Sequence, residues 1–416
     1  MVDKAVARES LLWRRIIQRI FQTQHSSLEA CVKTIRSWWR SLPPPSDPGP
    51  QAAVDGGSKY VDYEGFYIYV IKAYGRIYGS PLPAPQRAGV GLLLPPIEPD
   101  DQVSYLREAL EAQVGLDLLG LGRPGVFLMD GSITGVLRWY RPGLGHEYRL
   151  SDALGDADEA ARILVEEALS EREVETLLGL PSGLDCGGPG PYPCLSRVLA
   201  EARERPVSGR LVMLAADRNV VATYDWAPAV EVAEKLYLYK RFLEEAWRLQ
   251  VPVVFVSKTS VRRRICGKLP HSDVYYIEAS RVGRGYVYWE GASATGYVEI
   301  MGIPRRETVR ELLPGLLGIP EFYRRRLANV EAYVKLHDRG QVLHVDVPYD
   351  AASGRDPVEV LEEALSLLAG ARQSKGYPTA LQMAHREARI TEKDVEVYMR
   401  GLGLTAARRA RAMLGV

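Results

Sequence analysis

Two apolar runs that each stop at an aspartate set the strongest limit on how this chain folds. They are FLMD at 127–130, followed by Gly131-Ser132, and LVMLAAD at 211–217, followed by Arg218-Asn219. Short apolar runs bounded by turn residues read as buried strands, so Asp130 and Asp217 fall at strand ends. A carboxylate is costly there unless it is paired or holds a metal ion. PVVFVS at 252–257 follows a helical pattern at 228–249 and reads as a buried parallel strand reached by a crossover helix. The strand at 126–130 is expected to continue past Gly131 into ITGVLRWY as a hairpin or meander, with a further strand at 211–216. Short strands are also expected at 274–278, 286–290, 332–337 and 342–347, and helices at 101–119, 156–178, 195–205, 357–371 and 391–400. The sum is an α/β chain with a mixed sheet flanked by helices.

Composition narrows the function classes. A chain of 416 residues with 46% hydrophobic and 25% charged content is that of a soluble globular protein. With 53 basic against 52 acidic residues there is no global footprint for nucleic acid, and local patches must supply any such contact. No apolar run reaches the roughly 20 residues that span a bilayer, and the Arg-rich amino terminus lacks a signal-peptide apolar region, so a cytoplasmic protein is expected. Cys31, Cys186, Cys194 and Cys266 lack zinc-site spacing and are too few for a disulfide scaffold. Cys186 and Cys194 bracket a Gly/Pro loop, where free thiols are expected unless a thermophile bridges them.

Four segments are expected. Residues 1–41 form a helical arm, 42–53 a Pro-rich linker (LPPPSDPGPQ), 54–120 a tyrosine-rich accessory region with an acidic helix, and 121–416 the catalytic domain. The arm carries eight basic and three acidic residues in its first forty, and a chain beginning near Val54 is expected to fold without it.

Aspartates at strand ends suit phosphodiester chemistry, because carboxylates can hold hard divalent ions that acidify an attacking water and stabilise the leaving oxygen. In ribonuclease-H-like folds the first aspartate lies on the first strand, a glutamate comes from a helix and another aspartate ends a later strand. Asp130, Glu201 on the helix 195–205, and Asp217 have that order, with Glu204 one turn on as the alternative to Glu201. Asp-Gly-Ser is also a common turn, so the motif alone has a bland reading.

Over roughly residues 120–395 the chain resembles the archaeal NurA nuclease family. The resemblance rests on Asp130-Gly131-Ser132 as its first acidic motif, on Val256-Ser257-Lys258-Thr259-Ser260, and on Gly376-Tyr377-Pro378 followed by Ala384-His385. It implies a ribonuclease-H-like fold, Mn²⁺ (or Mg²⁺) as cofactor, and DNA hydrolysis of 5′-to-3′ polarity with single-strand endonuclease activity. It also implies a homodimer working with the HerA-type hexameric ATPase in double-strand-break end resection. By the same resemblance Asp130, Glu201 and Asp217 are metal ligands, and Tyr377 and His385 complete the site, His385 as a ligand or proton donor. Pro378 requires the helix to begin after Tyr377, leaving His385 about two turns in.

Lys258 and the run Arg262, Arg263, Arg264 are the DNA-binding candidates, and Arg324–Arg326 and Arg408, Arg409 and Arg411 are possible channel residues. The family's Arg and Glu before a late proline are replaced by His344-Val345-Asp346-Val347-Pro348, which offers His344 or Asp346 as substitute contacts. His337 and His344 raise a further metal suspicion. Asp217-Arg218-Asn219 departs from the family's second Asp-Gly-Ser-like motif, and this leaves a catalytically decayed subunit that binds DNA or the ATPase as the alternative.

Overall fold

The computed structural model describes residues 28–63, 66–93, 99–136, 235–236, 238–260, 263–267, 271–289 and 322–401. Within them an eight-stranded mixed sheet has the order β3-β2-β1-β4-β5-β8-β7-β6. β1 (Gln51–Tyr63), β2 (Phe66–Tyr78) and β3 (Gln86–Leu93) form an antiparallel meander. β1 pairs in parallel with β4 (Val126–Asp130), and β4 in parallel with β5 (Val253–Ser257). β6 (Gly285–Tyr288), β7 (Leu327–Lys335) and β8 (Leu343–Asp350) continue it antiparallel, β8 lying against β5. The two short central strands, VFLM and VVFV, are apolar on both faces because helices cover both.

On one face α2 (Pro99–Leu121) and a helix over 238–248 pack on Val54, Tyr69, Phe127, Met129 and Phe255. On the other, α6 (Pro357–Gly370) and α7 (Thr379–Ala388) pack on Ala53, Leu128, Val254, Val256 and Val345. We number the helices in chain order, α1 over 28–38, α3 (Ile133–Val136), α4 over 238–248, α5 (Asp273–Ser280) and α8 (Glu392–Gly401) being the others. The sequence of α6 explains its position. Asp356 caps it by accepting from Val358 N–H, Pro357 occupies the first turn, and Val360, Leu361, Ala364, Leu365 and Leu368 recur at helical spacing on the buried side. No helix among the described residues is long and apolar enough to cross a membrane.

The mixed sheet flanked by helices matches the expectation from sequence, as does the parallel pairing of the strand at 252–257. Two segments differ. Residues 274–278, expected as a strand, lie in α5, because only Tyr276, Ile277 and Ser280 are buried after Asp273, a helical spacing hidden in an apolar run. Residues 133–136 turn into α3 instead of continuing a strand, since Ser132 Oγ accepts the Gly135 N–H at 3.0 Å and starts a helical turn. The strand expected at 211–216 and the helices at 156–178 and 195–205 lie outside the described residues, as do Cys186 and Cys194.

A disulfide not expected from sequence joins Cys31 to Cys266, with Cα atoms 5.7 Å apart. It fastens α1 beside α5 and β6. Ile35 is fully buried there with Ile277, Val287 and Tyr333, the Arg36 guanidinium donates to the Ser280 carbonyl, and Arg40 exchanges backbone hydrogen bonds of 2.8 and 2.9 Å with Tyr286. Residues 51–53, expected in the linker, open β1, and the expected accessory region supplies the rest of the meander and α2. A chain beginning at Val54 would therefore lose Gln51–Ala53 from pairing with both β2 and β4, and uncover the Ile35 cluster. We predict that it unfolds at clearly lower denaturant than the full chain, and that Ile35→Ala alone costs about 2–5 kcal/mol. Urea titration followed by circular dichroism checks both; midpoints equal to that of the intact chain would restore the view of residues 1–53 as a detachable arm.

Candidate active site

The parallel pairing of β1 with β4 puts Val54 opposite Met129, so the next residues along, Asp55 and Asp130, stand side by side where β4 ends and its pairing with β1 stops, while β1 itself runs on against β2 to Tyr63. Both point to the face covered by α7, since side chains alternate and Ala53 and Leu128 pack there. The chain beyond Asp55 is held by two close approaches. A Cβ on Gly56 would stand 2.2 Å from Glu111 Oε1 of α2, and one on Gly57 would stand 2.3 Å from the Ala388 carbonyl oxygen at the end of α7. Two glycines in succession let helices on opposite faces close on β1 at the point where Asp55 leaves the core.

The carboxyl-terminal part of the chain brings two more groups. β9 (Gln373–Ser374) and β10 (Tyr377–Pro378) are joined by Lys375 and Gly376, both at positive φ (55° and 79°), as a two-residue hairpin requires. The turn delivers Tyr377 into the core, where its hydroxyl donates to Asp130 Oδ1 at 2.8 Å. Pro378 then ends the strand and α7 begins, as expected, after the tyrosine. Two turns along, His385 Nδ1 lies 2.7 Å from Asp55 Oδ2. Lys258, exposed just past β5, sets its ammonium 4.2 Å from the Tyr377 ring centroid.

Asp55, Asp130 and His385 each offer one ligand atom within 4.8 Å of the others, so the set fits one small cation. The Asp55 side chain is only 5% exposed while that of His385 is 56% exposed, which leaves the site floored by the sheet and open on the α7 side. The electrostatics are those of carboxylates lacking a counter-charge. Burial and the Asp130 charge push Asp55 up to about 6, against the lowering from its hydrogen bonds to His385 and Gly56. Burial pushes Glu111 up to about 8, Arg107 opposing and Asp55 and Asp130 adding to the shift. Tyr239 hydroxyl reaches Glu111 Oε2 at 3.4 Å and Arg107 Nε stands 3.6 Å from Oε1. Burial and Asp130 hold the Tyr377 phenol far above its ordinary value, so it stays a neutral donor.

Of the residues singled out from sequence, the fold brings together Asp130, Tyr377, His385 and, through the tyrosine ring, Lys258. Glu201, Asp217 and Arg262 lie outside the described residues. Arg263 is exposed, but Arg264 is directed at buried Glu331 at 3.7 Å, and Arg326 is held by Glu244 and Asp350 at 2.8 and 2.5 Å. His337 sits in the β7–β8 turn accepting the Arg339 N–H and is not grouped with His344. Sequence reasoning missed Asp55 and Glu111. Ala52-Ala53-Val54-Asp55-Gly56-Gly57 carries the same signature as 127–132, an apolar run stopped by aspartate and glycine. Glu111 stands among buried Leu110, Ala112, Gln113 and Val114, where a solvated glutamate would not. Asp55, Glu111 and Asp130 follow the order first strand, helix, later strand, with Glu111 across the sheet from the Asp55–Asp130–His385 group.

The sequence matches the model of the NurA domain family over residues 49–390. The structure resembles the crystal structure of the NurA nuclease from Sulfolobus solfataricus, with 16% identity over 95% of this chain and 98% of that one and a TM-score of 0.53. A second NurA crystal structure is 18% identical over 94% and 97% of the chains, with a TM-score of 0.56. A NurA bound to dAMP and manganese is 18% identical over 92% and 95%, with a TM-score of 0.54. At these identities the likeness establishes the fold. No curated protein matches the sequence.

The raised carboxylates have a consequence for stability. A group whose folded pKa lies above its unfolded value stabilises below the unfolded pKa, and this contribution is lost as pH rises through the folded one. For Glu111 that window runs from 4.5 to about 8, and for Asp55 from 3.8 to about 6. Metal-free protein should therefore lose stability between pH 4 and 8, and Glu111→Gln should gain on the order of a few kcal/mol at pH 8 in chelator while flattening the slope. Thermal melts across that range in EDTA test this; a variant with an unchanged slope would show that Glu111 is not the group under strain.

Proposed function

Because the chain belongs to the NurA family, we propose that it is a metal-dependent deoxyribonuclease. The observation that carries the proposal is the convergence of Asp55, Asp130 and His385 within 4.8 Å where β4 ends against β1, with Glu111 across the sheet under Gly56. Buried oxygen donors with one imidazole suit Mn²⁺ or Mg²⁺, and the NurA structure bound to dAMP and manganese supports that pairing of ion and nucleotide.

When bound, the ion acidifies the attacking water and stabilises charge on the leaving oxygen. The chain's own groups do the rest. Asp55, Asp130 and His385 would hold the ion, and Glu111, behind β1 on the α2 side, adds negative charge felt at Asp55 and Asp130. Tyr377 fixes the rotamer of Asp130 by donating to Oδ1 and leaves Oδ2 for the ion. His385, hydrogen-bonded to Asp55 through Nδ1 and exposed to solvent, presents Nε2 toward substrate, to ligate or to protonate the leaving 3′-oxygen. Lys258, braced on the Tyr377 ring, meets a phosphate as a point charge, and exposed Arg263 extends the basic surface. Glu201 and Asp217 are proposed as further carboxylates reaching the same centre, and Arg262 as a further phosphate contact. By family resemblance the substrate is DNA with free ends digested 5′ to 3′, single strands also being cut, and the working form is a homodimer acting with a HerA-type hexameric ATPase in double-strand-break end resection.

Labelled linear DNA incubated with purified protein and Mn²⁺ tests this reading. Asp130→Asn and Asp55→Asn should each lower cleavage by at least about 10³-fold with folding intact. Tyr377→Phe, which removes only the positioning hydrogen bond, should cost about 10–100-fold. Wild-type protein that binds DNA but leaves it uncut under every divalent ion would favour the alternative, a decayed subunit with a binding role.

A further inference from the structure

A second cluster of metal-ligating side chains lies on the opposite face of the same sheet. Glu331 on β7 and Asp346 on β8 are register partners, and His344 stands two residues before Asp346. All three are buried, with at most 2% exposure, and offer ligand atoms within 4.8 Å of one another. Their neighbours Val330, Ala332 and Val345 face the α6 side, so the pleat turns Glu331, His344 and Asp346 away from Asp130.

Two observations point to a ligand at this cluster. His344 Nε2 stands 3.3 Å from Glu331 Oε2 and 3.7 Å from Asp346 Oδ1. A charged imidazole donating to a carboxylate closes to about 2.7–2.9 Å; at the other cluster His385 Nδ1 and Asp55 Oδ2 stand 2.7 Å apart. A single N–H held between two carboxylates at these longer distances is a poor hydrogen bond to both. Ligands about 2.1 Å from a shared tetrahedral ion are separated by about 3.4 Å, which the two spacings bracket. The second observation is Asn329, on the same face of β7 as Glu331. It is 3% exposed, its amide nitrogen is 3.4 Å from Asp346 Oδ1, and its Oδ1 is buried without a hydrogen-bond partner. A buried carbonyl oxygen beside the cluster is a fourth oxygen donor in waiting.

We propose that Glu331, His344 and Asp346, with Asn329 alongside, form a structural metal centre distinct from the site at Asp130. One imidazole with hard oxygen donors suits Zn²⁺ or Mn²⁺. The centre is closed: the Tyr333 ring lies 5.5 Å from the His344 ring, tilted at 56° to it, and its hydroxyl is tied to Ser260 at 3.2 Å. An ion there clamps β7 to β8. Arg264, 3.7 Å from Glu331, extends the clamp to the 263–267 turn, which Asp273 holds by accepting from three successive backbone N–H groups. The role follows from burial, since a site with no open face binds metal to hold structure.

The experiment uses the full chain carrying Asp55→Asn and Asp130→Asn, which disables the centre at the strand ends. After equilibration with Zn²⁺, then separately with Mn²⁺, and desalting, metal content is measured by mass spectrometry. About one equivalent of one of these ions should remain, and chelator should lower the melting temperature. Adding His344→Gln, or the near-isosteric Asp346→Asn, should reduce bound metal by about 10-fold or more and abolish the response to chelator. Crystals of the double variant soaked in the retained metal should show an anomalous peak between Glu331 and His344. No retained metal, metal undiminished in a folded His344→Gln or Asp346→Asn protein, or an anomalous peak elsewhere would each overturn the proposal, and none of these bears on whether the Asp130 centre cuts DNA.

Discussion

Asp55 is buried beside the Asp130 carboxylate, and burial together with that neighbouring negative charge raises its pKa to about 6. The surrounding structure manages that conflict. Tyr377 gives Asp130 a neutral hydrogen bond, His385 gives Asp55 a titratable one, and Arg107 leans on Glu111 from the far side. None of these supplies the full counter-charge at the point where the carboxylates converge. A cluster of two carboxylates and one imidazole within 4.8 Å is of the kind that could hold a divalent ion, which would relieve that repulsion.

The sheet order makes this convergence possible. β1 takes an antiparallel neighbour along its whole length on one edge and a parallel one over Gln51–Val54 on the other, so Asp55 stands where the parallel pairing stops and the meander continues. α2 leads from the meander to β4 across one face, carrying Glu111 under Gly56; α7 returns across the other face some 330 residues after Asp55 to place His385. Local segments therefore supply the carboxylates, while the tyrosine and histidine arrive only through contacts of very long sequence separation. Such contacts carry the largest loop-closure cost and form late in folding, so the complete site belongs to the fully folded chain and to no fragment of it.

How much of this was legible in the residues follows from which signals are local. The buried parallel strand at 253–257, the capped helix at 357–370 and the break at Pro378 were readable because apolar runs, caps and proline act within a few residues. The same reasoning picked Asp130 from its strand-end pattern, and the family resemblance added Tyr377 and His385, yet both passed over Asp55, whose Asp-Gly-Gly follows a Pro-rich stretch and a run of small residues that looked like linker. Glu111 was hidden for a different reason. Its placement depends on the side-chain void of Gly56 across the sheet, a tertiary fact with no local signature. The Cys31–Cys266 bridge, 235 residues in span, was beyond reach for the same reason.

The pleat of β8 is what keeps the two clusters apart. Val345 joins the core beneath α6 and α7, on the side where Asp130 meets Tyr377, and the residues flanking it, His344 and Asp346, are forced to the other side. A histidine and an aspartate on both flanks of Val345 are tolerated on that face because polar partners meet them there: His344 Nε2 lies 3.3 Å from Glu331 and 3.7 Å from Asp346, and Arg264 reaches Glu331. The strand thus alternates valine, inward to one core, with titratable side chains, inward to the other. Charge compensation on that face ties β7 to β8 inside the sheet, whereas Asp55, Asp130 and His385 meet on the face that His385 leaves open to solvent.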